Sequence, residues 1–203
     1  MSNDCLRVGH LNVYHIQNKI HDLNVFFEFH QRFHLFGLSE TRLKSHIPSE
    51  GLSLPHHSLI RNKLPDLSTH VWLFYIHSSI CKIVRRRPDL ESEAIKSAWL
   101  EKQARKSNIL AGYVYRKPTV SFDWYDQFVT MMDRVQGYKL NVVLLGDFNT
   151  DMQKTNPAWF HSVLINFGLG QMITSPTRIT PHSSTLTDHI YTSDMIRIKY
   201  SCA

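Results

Sequence analysis

Cysteine is scarce in this sequence, with three among 203 residues, at Cys5, Cys81 and Cys202. An odd number, widely scattered, provides neither a disulfide framework nor the paired spacing of a zinc site, and it suits free thiols in a reducing compartment. Long apolar runs are also lacking. No stretch approaches the roughly 20 residues that span a bilayer, and the N-terminus shows no signal-peptide pattern, so the expected location is intracellular with no membrane partner. Internal repeats and low-complexity tracts are absent. Acidic residues are outnumbered: 17 Asp and Glu face 23 Lys and Arg, for a formal net charge of +6. That balance favours an anionic partner, nucleic acid being the commonest, although composition alone does not separate DNA from anionic lipid. What is present is a folding chain, 42% hydrophobic and 11% aromatic, long enough for one sizeable core and read as a single domain over residues 1–203.

Apolar patterning alternates between strand and helix periods. Leu6 to Val13 reads as a strand ending near Asn12. Asn18 to Phe33 follows with Ile20, Leu23, Phe26, Phe27, His30 and Phe33 at helical spacing. Leu35 to Leu38 is a second apolar run, ending in Ser39 and Glu40. A polar loop with Pro48, Gly51 and Pro55 leads to a strand over Val71 to Ile80. Lys82 to Lys106 carries mixed charge, including Arg85, Arg86 and Arg87, which is either a solvated face or a contact for DNA phosphates. Asn108 to Tyr115 alternates as a strand, closed by Pro118. Trp124, Phe128, Met131 or Met132, and Val135 then mark a helix. Asn156 and Pro157 resemble an N-cap and first helical residue, before a stripe of Phe160, Val163, Leu164 and Phe167 that Gly168 stops. Thr185 to Tyr191 is a final strand. The four tryptophans, Trp72, Trp99, Trp124 and Trp159, suit core or rim packing better than base stacking.

The run Leu144, Leu145, Gly146, Asp147, Phe148, Asn149 carries the most chemistry. Asn141 to Leu145 reads as a buried strand, with charge arriving only at its end. Strand alternation would put Asp147 and Asn149 on one side and Phe148 on the other; the plainer alternative is a strand followed by an Asx turn. A carboxylate and a carboxamide together can orient a water and contact a phosphate oxygen. Polar residues recur at strand ends: Asn12, Glu40, the Asp147 and Asn149 pair, and Tyr115. Active sites in sheet proteins gather at such edges.

This order of motifs resembles the endonuclease/exonuclease/phosphatase superfamily, and most closely the apurinic-type endonuclease domains of non-long-terminal-repeat retrotransposons. The resemblance rests on Leu11 to Val13 with Asn18 and Lys19, on Leu38 to Leu43, on Tyr113 to Pro118, on Gly146 to Asp151 and on Thr185 to Tyr191. It implies an α/β fold, a four-layer α/β/β/α sandwich of two mixed sheets. By resemblance Glu40 is the main carboxylate ligand of magnesium, or manganese in its place, with Asn12 near metal and phosphate. Asp147 activates the water, Asn149 and Tyr115 hold the scissile phosphate, Asp188 orients a histidine, and Thr177 lies near the phosphate. The implied reaction is nicking of a DNA phosphodiester, in the nucleus where the DNA lies, leaving a 3′-hydroxyl for a reverse transcriptase domain of the parent polyprotein. The alternatives are a catalytically decayed DNA-binding remnant and a phosphatase or phospholipase of the same superfamily.

The match departs from the family pattern in two places. The family's last strand begins with Ser-Asp-His, and no such tripeptide occurs in this sequence, so the resemblance implies a domain shortened at its C-terminus and lacking the closing strand. His182 and His189 read as surface or structural residues rather than replacements. Where the family has a glycine-rich turn, this chain has Ser68, Thr69, His70, Val71 and Trp72.

Overall fold

The structure, a computed structural model, describes residues 5–29, 33–44, 46–61, 72–92, 94–154 and 159–193. The expected helix start at Asn156 and Pro157, the loop residues Ser68 to Val71, and Cys202 lie outside the described residues. The chain divides into two compact units, Met1–Ile83 and Val84–Ala203. Each is built on one of the two mixed sheets that the resemblance implies.

The first unit has strands β1 (Val8–Asn12), β2 (Leu35–Ser39), β3 (His57–Arg61) and β4 (Leu73–His77), in the order β1-β2-β4-β3. β1 and β2 are parallel, and the connection between them contains helix α1 (Ile20–Phe29), because parallel neighbours need a crossover rather than a hairpin. Leu23 and Phe27 form the buried stripe of α1 and pack with Phe36, Leu38 and Tyr75. The Phe27 and Phe36 rings meet edge to face at 5.0 Å. β3 falls in the stretch whose composition predicts a polar loop, and it pairs along its whole length with β4.

The second unit has β5 (Val84–Arg86), β6 (Lys96–Lys102), β7 (Ile109–Tyr115), β8 (Asn141–Asp147), β9 (Gly170–Gln171) and β12 (Asp188–Thr192), in the order β5-β6-β7-β8-β12-β9. A separate hairpin joins β10 (Arg178–Thr180) to β11 (Ser183–Thr185). The crossover between the parallel pair β7 and β8 is helix α2 (Phe122–Gly137). Its Trp124, Phe128, Met131, Met132 and Val135 are buried against Trp99, Leu110, Val114, Val142 and Leu144, the face the helical spacing predicts. Helix α3 (Trp159–Asn166) stops where Gly168 takes a left-handed φ of 73°, and the Leu169 N–H closes onto the Leu164 carbonyl. Among the described residues no helix is long and apolar enough to cross a membrane. Three of the tryptophans are buried as expected, whereas Trp159 is half exposed, edge-on to Tyr125.

The Arg85, Arg86 and Arg87 run is committed to carboxylates of its own unit. Glu101, buried on β6, accepts hydrogen bonds from Arg85, Arg87 and Asn108; Arg86 pairs with Glu91, and Arg87 also with Asp89. The run is therefore charge-paired within its own unit, with the Arg85 side chain still largely exposed. Burial alone would push the Glu101 carboxyl up, and the donated hydrogen bonds outweigh that and hold it below its usual value. Asp89 is held at about 2, chiefly by the Arg87 guanidinium and further by the Tyr138 hydroxyl. A carboxyl depressed on folding contributes stability that is complete above its unfolded value near 3.8 and lost as pH falls toward about 2. Acid titration of unfolding should show this loss between those limits, and Asp89→Asn should flatten that part of the curve.

Candidate active site

In the first unit, Asn12 and Ser39 are register partners at the C-terminal ends of the parallel strands β1 and β2, and Glu40 is the next residue. Ligands of sheets with parallel strands bind at such carboxyl ends. The Asn12 Oδ1 accepts the Tyr14 N–H at 3.2 Å, an Asx turn that closes the strand. Glu40 is half-buried, with a left-handed φ of 50°. The two loops are joined by backbone bonds from the His15 N–H to the Glu40 carbonyl, 3.0 Å, and from the Ile16 N–H to the Thr41 carbonyl, 3.1 Å. One carboxylate and one carboxamide form a hard oxygen donor set, which fits magnesium or manganese better than a soft metal. Among the described residues no three His, Cys, Asp or Glu side chains gather as a metal site. Magnesium is commonly held by one or two carboxylates together with waters and substrate phosphate, so a carboxylate and a carboxamide are donors of the type it takes.

In the second unit, three of the predicted residues meet at one end of the sheet. Two residues beyond the Tyr113–Leu145 rung, Tyr115 and Asp147 end their parallel strands, and Asp188 opens β12 directly opposite Asp147. Tyr115 and Asp147 are buried, and Asp188 is partly exposed. Thr177 adjoins them: its Oγ1 accepts the N–H groups of Thr187 at 3.2 Å and Asp188 at 3.1 Å, fixing the start of β12.

Asp147 and Asn149 do not share a strand face, because the strand ends at Asp147 and the chain turns. The Asn149 N–H donates to the Asp147 Oδ1 at 2.9 Å, and Asn149 has a left-handed φ of 46°: the Asx turn that was the plainer alternative. The turn keeps the Asn149 backbone against the Asp147 carboxylate, while the Asn149 side-chain amide donates to the Arg116 carbonyl at 2.8 Å. Phe148 is fully buried and stacks on His189, ring centroids 5.1 Å apart. His189 is itself buried, its Nε2 within 3.0 Å of the Thr150 carbonyl and 3.1 Å of the Leu186 carbonyl, so that nitrogen carries the proton and the ring is structural. His182 is exposed.

Gly146 allows this geometry. Its φ is 152°, and a Cβ there would fall on the Val114 backbone carbonyl. Gly146→Ala should therefore destabilise by on the order of 3 kcal/mol, seen as a lowered urea midpoint with unchanged slope.

Arg116 is the residue that sequence reasoning did not assign. It is buried, and its backbone N–H donates to the Asp147 carbonyl at 2.9 Å while its own carbonyl accepts the Asn149 side-chain amide at 2.8 Å. Its Nη1 reaches the Phe148 carbonyl at 3.2 Å and the Thr150 hydroxyl at 3.3 Å, and its Nη2 donates to the Tyr125 hydroxyl at 2.9 Å. Among the described residues no carboxylate pairs with it. The signal available in sequence was its place directly after Tyr115. Asp151 secures the far side of the loop: its Oδ1 accepts the Leu186 N–H at 3.0 Å and the Gln153 N–H at 3.1 Å, bonds that hold its carboxyl below the usual range.

The fold is shared with solved endonucleases and phosphatases, an endonuclease/exonuclease/phosphatase family protein from Bacteroides thetaiotaomicron among them. Solved structures similar to this chain include the endonuclease domain of TRAS1, a telomere-specific non-LTR retrotransposon, at 13% identity and a TM-score of 0.69, covering 94% of this chain and 86% of that one. The 3′ phosphatase NExo from Neisseria, bound to a product DNA hairpin, matches at 12% identity and a TM-score of 0.66, over 93% of this chain and 87% of that one. The AP endonuclease LMAP from Leishmania major matches at 11% identity and 0.66, over 92% and 78%. No family model matches the sequence, and no curated protein matches it.

Proposed function

We propose that this chain is a magnesium-dependent DNA endonuclease of a retrotransposon-like element, which nicks target DNA and leaves a 3′-hydroxyl for a reverse transcriptase to extend. The observation that carries the reading is the meeting of Tyr115, Asp147 and Asp188 at one sheet end, with Asn149 turned back beside Asp147. A nuclease of this fold, the TRAS1 domain, and a phosphatase with DNA as its bound product support the substrate class.

In this reading Glu40 and Asn12 would hold the ion, which when bound would offset charge on the phosphoryl oxygens. Asp147 accepts the proton of the attacking water, and Asn149 and Tyr115 orient the phosphate. Water attacks phosphorus, the bond to the 3′ oxygen breaks, and that oxygen takes up a proton to leave the 3′-hydroxyl. Asp188 and Thr177 act beside the phosphate, Thr177 by fixing Asp188.

Nicking of supercoiled plasmid in magnesium tests the assignment. The wild-type chain should convert plasmid to open circles, and Glu40→Ala and Asp147→Ala should not; wild-type turnover no faster than these variants would sink it. Faster hydrolysis of inositol phosphates or sphingomyelin than of DNA would move the assignment to a small-phosphoester hydrolase.

A further inference from the structure

Backbone strain in this chain concentrates beside Asn12 and Glu40. Seven described non-glycine residues have positive φ, and four of them, Tyr14 at 39°, His15 at 88°, Glu40 at 50° and Arg42 at 51°, lie on the two loops that leave β1 and β2. A left-handed conformation is rare for a bulky aromatic, and it persists only where the surroundings enforce it. Here the backbone bonds between the loops and the Asn12 side chain on the Tyr14 N–H do so.

The strain has one visible product. Tyr14 is 63% exposed, and the Arg42 guanidinium lies over its ring at 3.9 Å from the centroid. Arg42 is exposed as well, and among the described residues no carboxylate pairs with it. An exposed ring under a flat cation adds little to a core, so folding stability does not explain why the loops are bent to form it. The pair has what a nucleotide requires: π-faces for a base and a fork of N–H donors for a phosphate. Tyr14 stands two residues beyond Asn12 and Arg42 two beyond Glu40, whose strands are in register.

We propose that Tyr14 and Arg42 form a stacking platform for the nucleotide next to the scissile phosphate, the base lying on the pair and the guanidinium edge donating to the DNA backbone. The proposal rests on the DNA reading above and adds a substrate subsite to it. The platform is built before substrate arrives.

Fluorescence anisotropy with a labelled single-stranded oligonucleotide, without divalent metal, tests it in the full chain. Tyr14→Phe should bind as the wild type does, whereas Tyr14→Leu should weaken binding about 5- to 100-fold. Arg42→Lys should also weaken it, because an ammonium cannot stack as a plane. Arg42→Gln should lower the salt slope by about 0.7, the loss of one phosphate contact to a single strand. Tyr14→Gly relieves the left-handed strain, so it should raise the melting temperature while weakening binding, which separates the platform from a folding role. If Tyr14→Leu binds within twofold of wild type while Glu40→Ala still abolishes nicking, the platform is wrong and the active-site assignment stands. If the wild-type chain binds no DNA, both fall together.

Discussion

Replacing Asp147 by asparagine is expected to slow magnesium-dependent plasmid nicking by about 10²- to 10⁴-fold, the usual contribution of a positioned general base. The substitution keeps the shape of the side chain and leaves an acceptor for the Asn149 N–H, so the Asx turn survives and the loss reports chemistry. Glu40→Gln should slow the reaction for a different reason, weakened hold on the ion, and raising magnesium or supplying manganese should recover part of its rate. Raised metal should recover none of the Asp147→Asn rate. A metal titration of both variants checks this, and equal recovery in the two would contradict the division of roles between them.

Glu101→Leu is expected to destabilise the second unit by about 3–5 kcal/mol, the cost of removing one partner from a buried ion pair. Glu101 is buried on β6 and collects Arg85, Arg87 and Asn108, and Arg87 is buried with it. Removing the carboxylate leaves the Arg87 guanidinium with Asp89 alone, a residue at the surface end of the network. Chemical denaturation of the variant measures the loss. Adding Arg87→Met to Glu101→Leu should restore much of it, because the uncompensated charge goes too.

The strands and helices that came through in sequence were those with a clean period. α2 showed its buried stripe from Trp124 to Val135, and β8 its unbroken apolar run. β6 was hidden because Glu101 and two lysines sit in it, and a buried glutamate looks like a surface residue until its three donors are placed. β3 was hidden among the polar residues flanking Pro55. The candidate site residues came from motif order, and their local geometry was less legible. Strand alternation put Asp147 and Asn149 on one face, but period-two reasoning holds only while the chain stays extended, and Asn149 has already turned left-handed. Arg116 was invisible for a related reason: its role lies in backbone and side-chain bonds to residues about thirty positions away, which no local pattern encodes.

The grip of Arg116 bears on how this sequence can change. Its main chain is stitched to Asp147 and Asn149 while its side chain spans to Phe148 and Thr150, so two loops far apart in the chain are measured against each other residue by residue. Inserting one residue between Tyr115 and Arg116, or inserting or deleting one between Asp147 and Thr150, would put several of these bonds out of step at once. Relatives that keep the site should therefore vary in composition around these segments but not in their length.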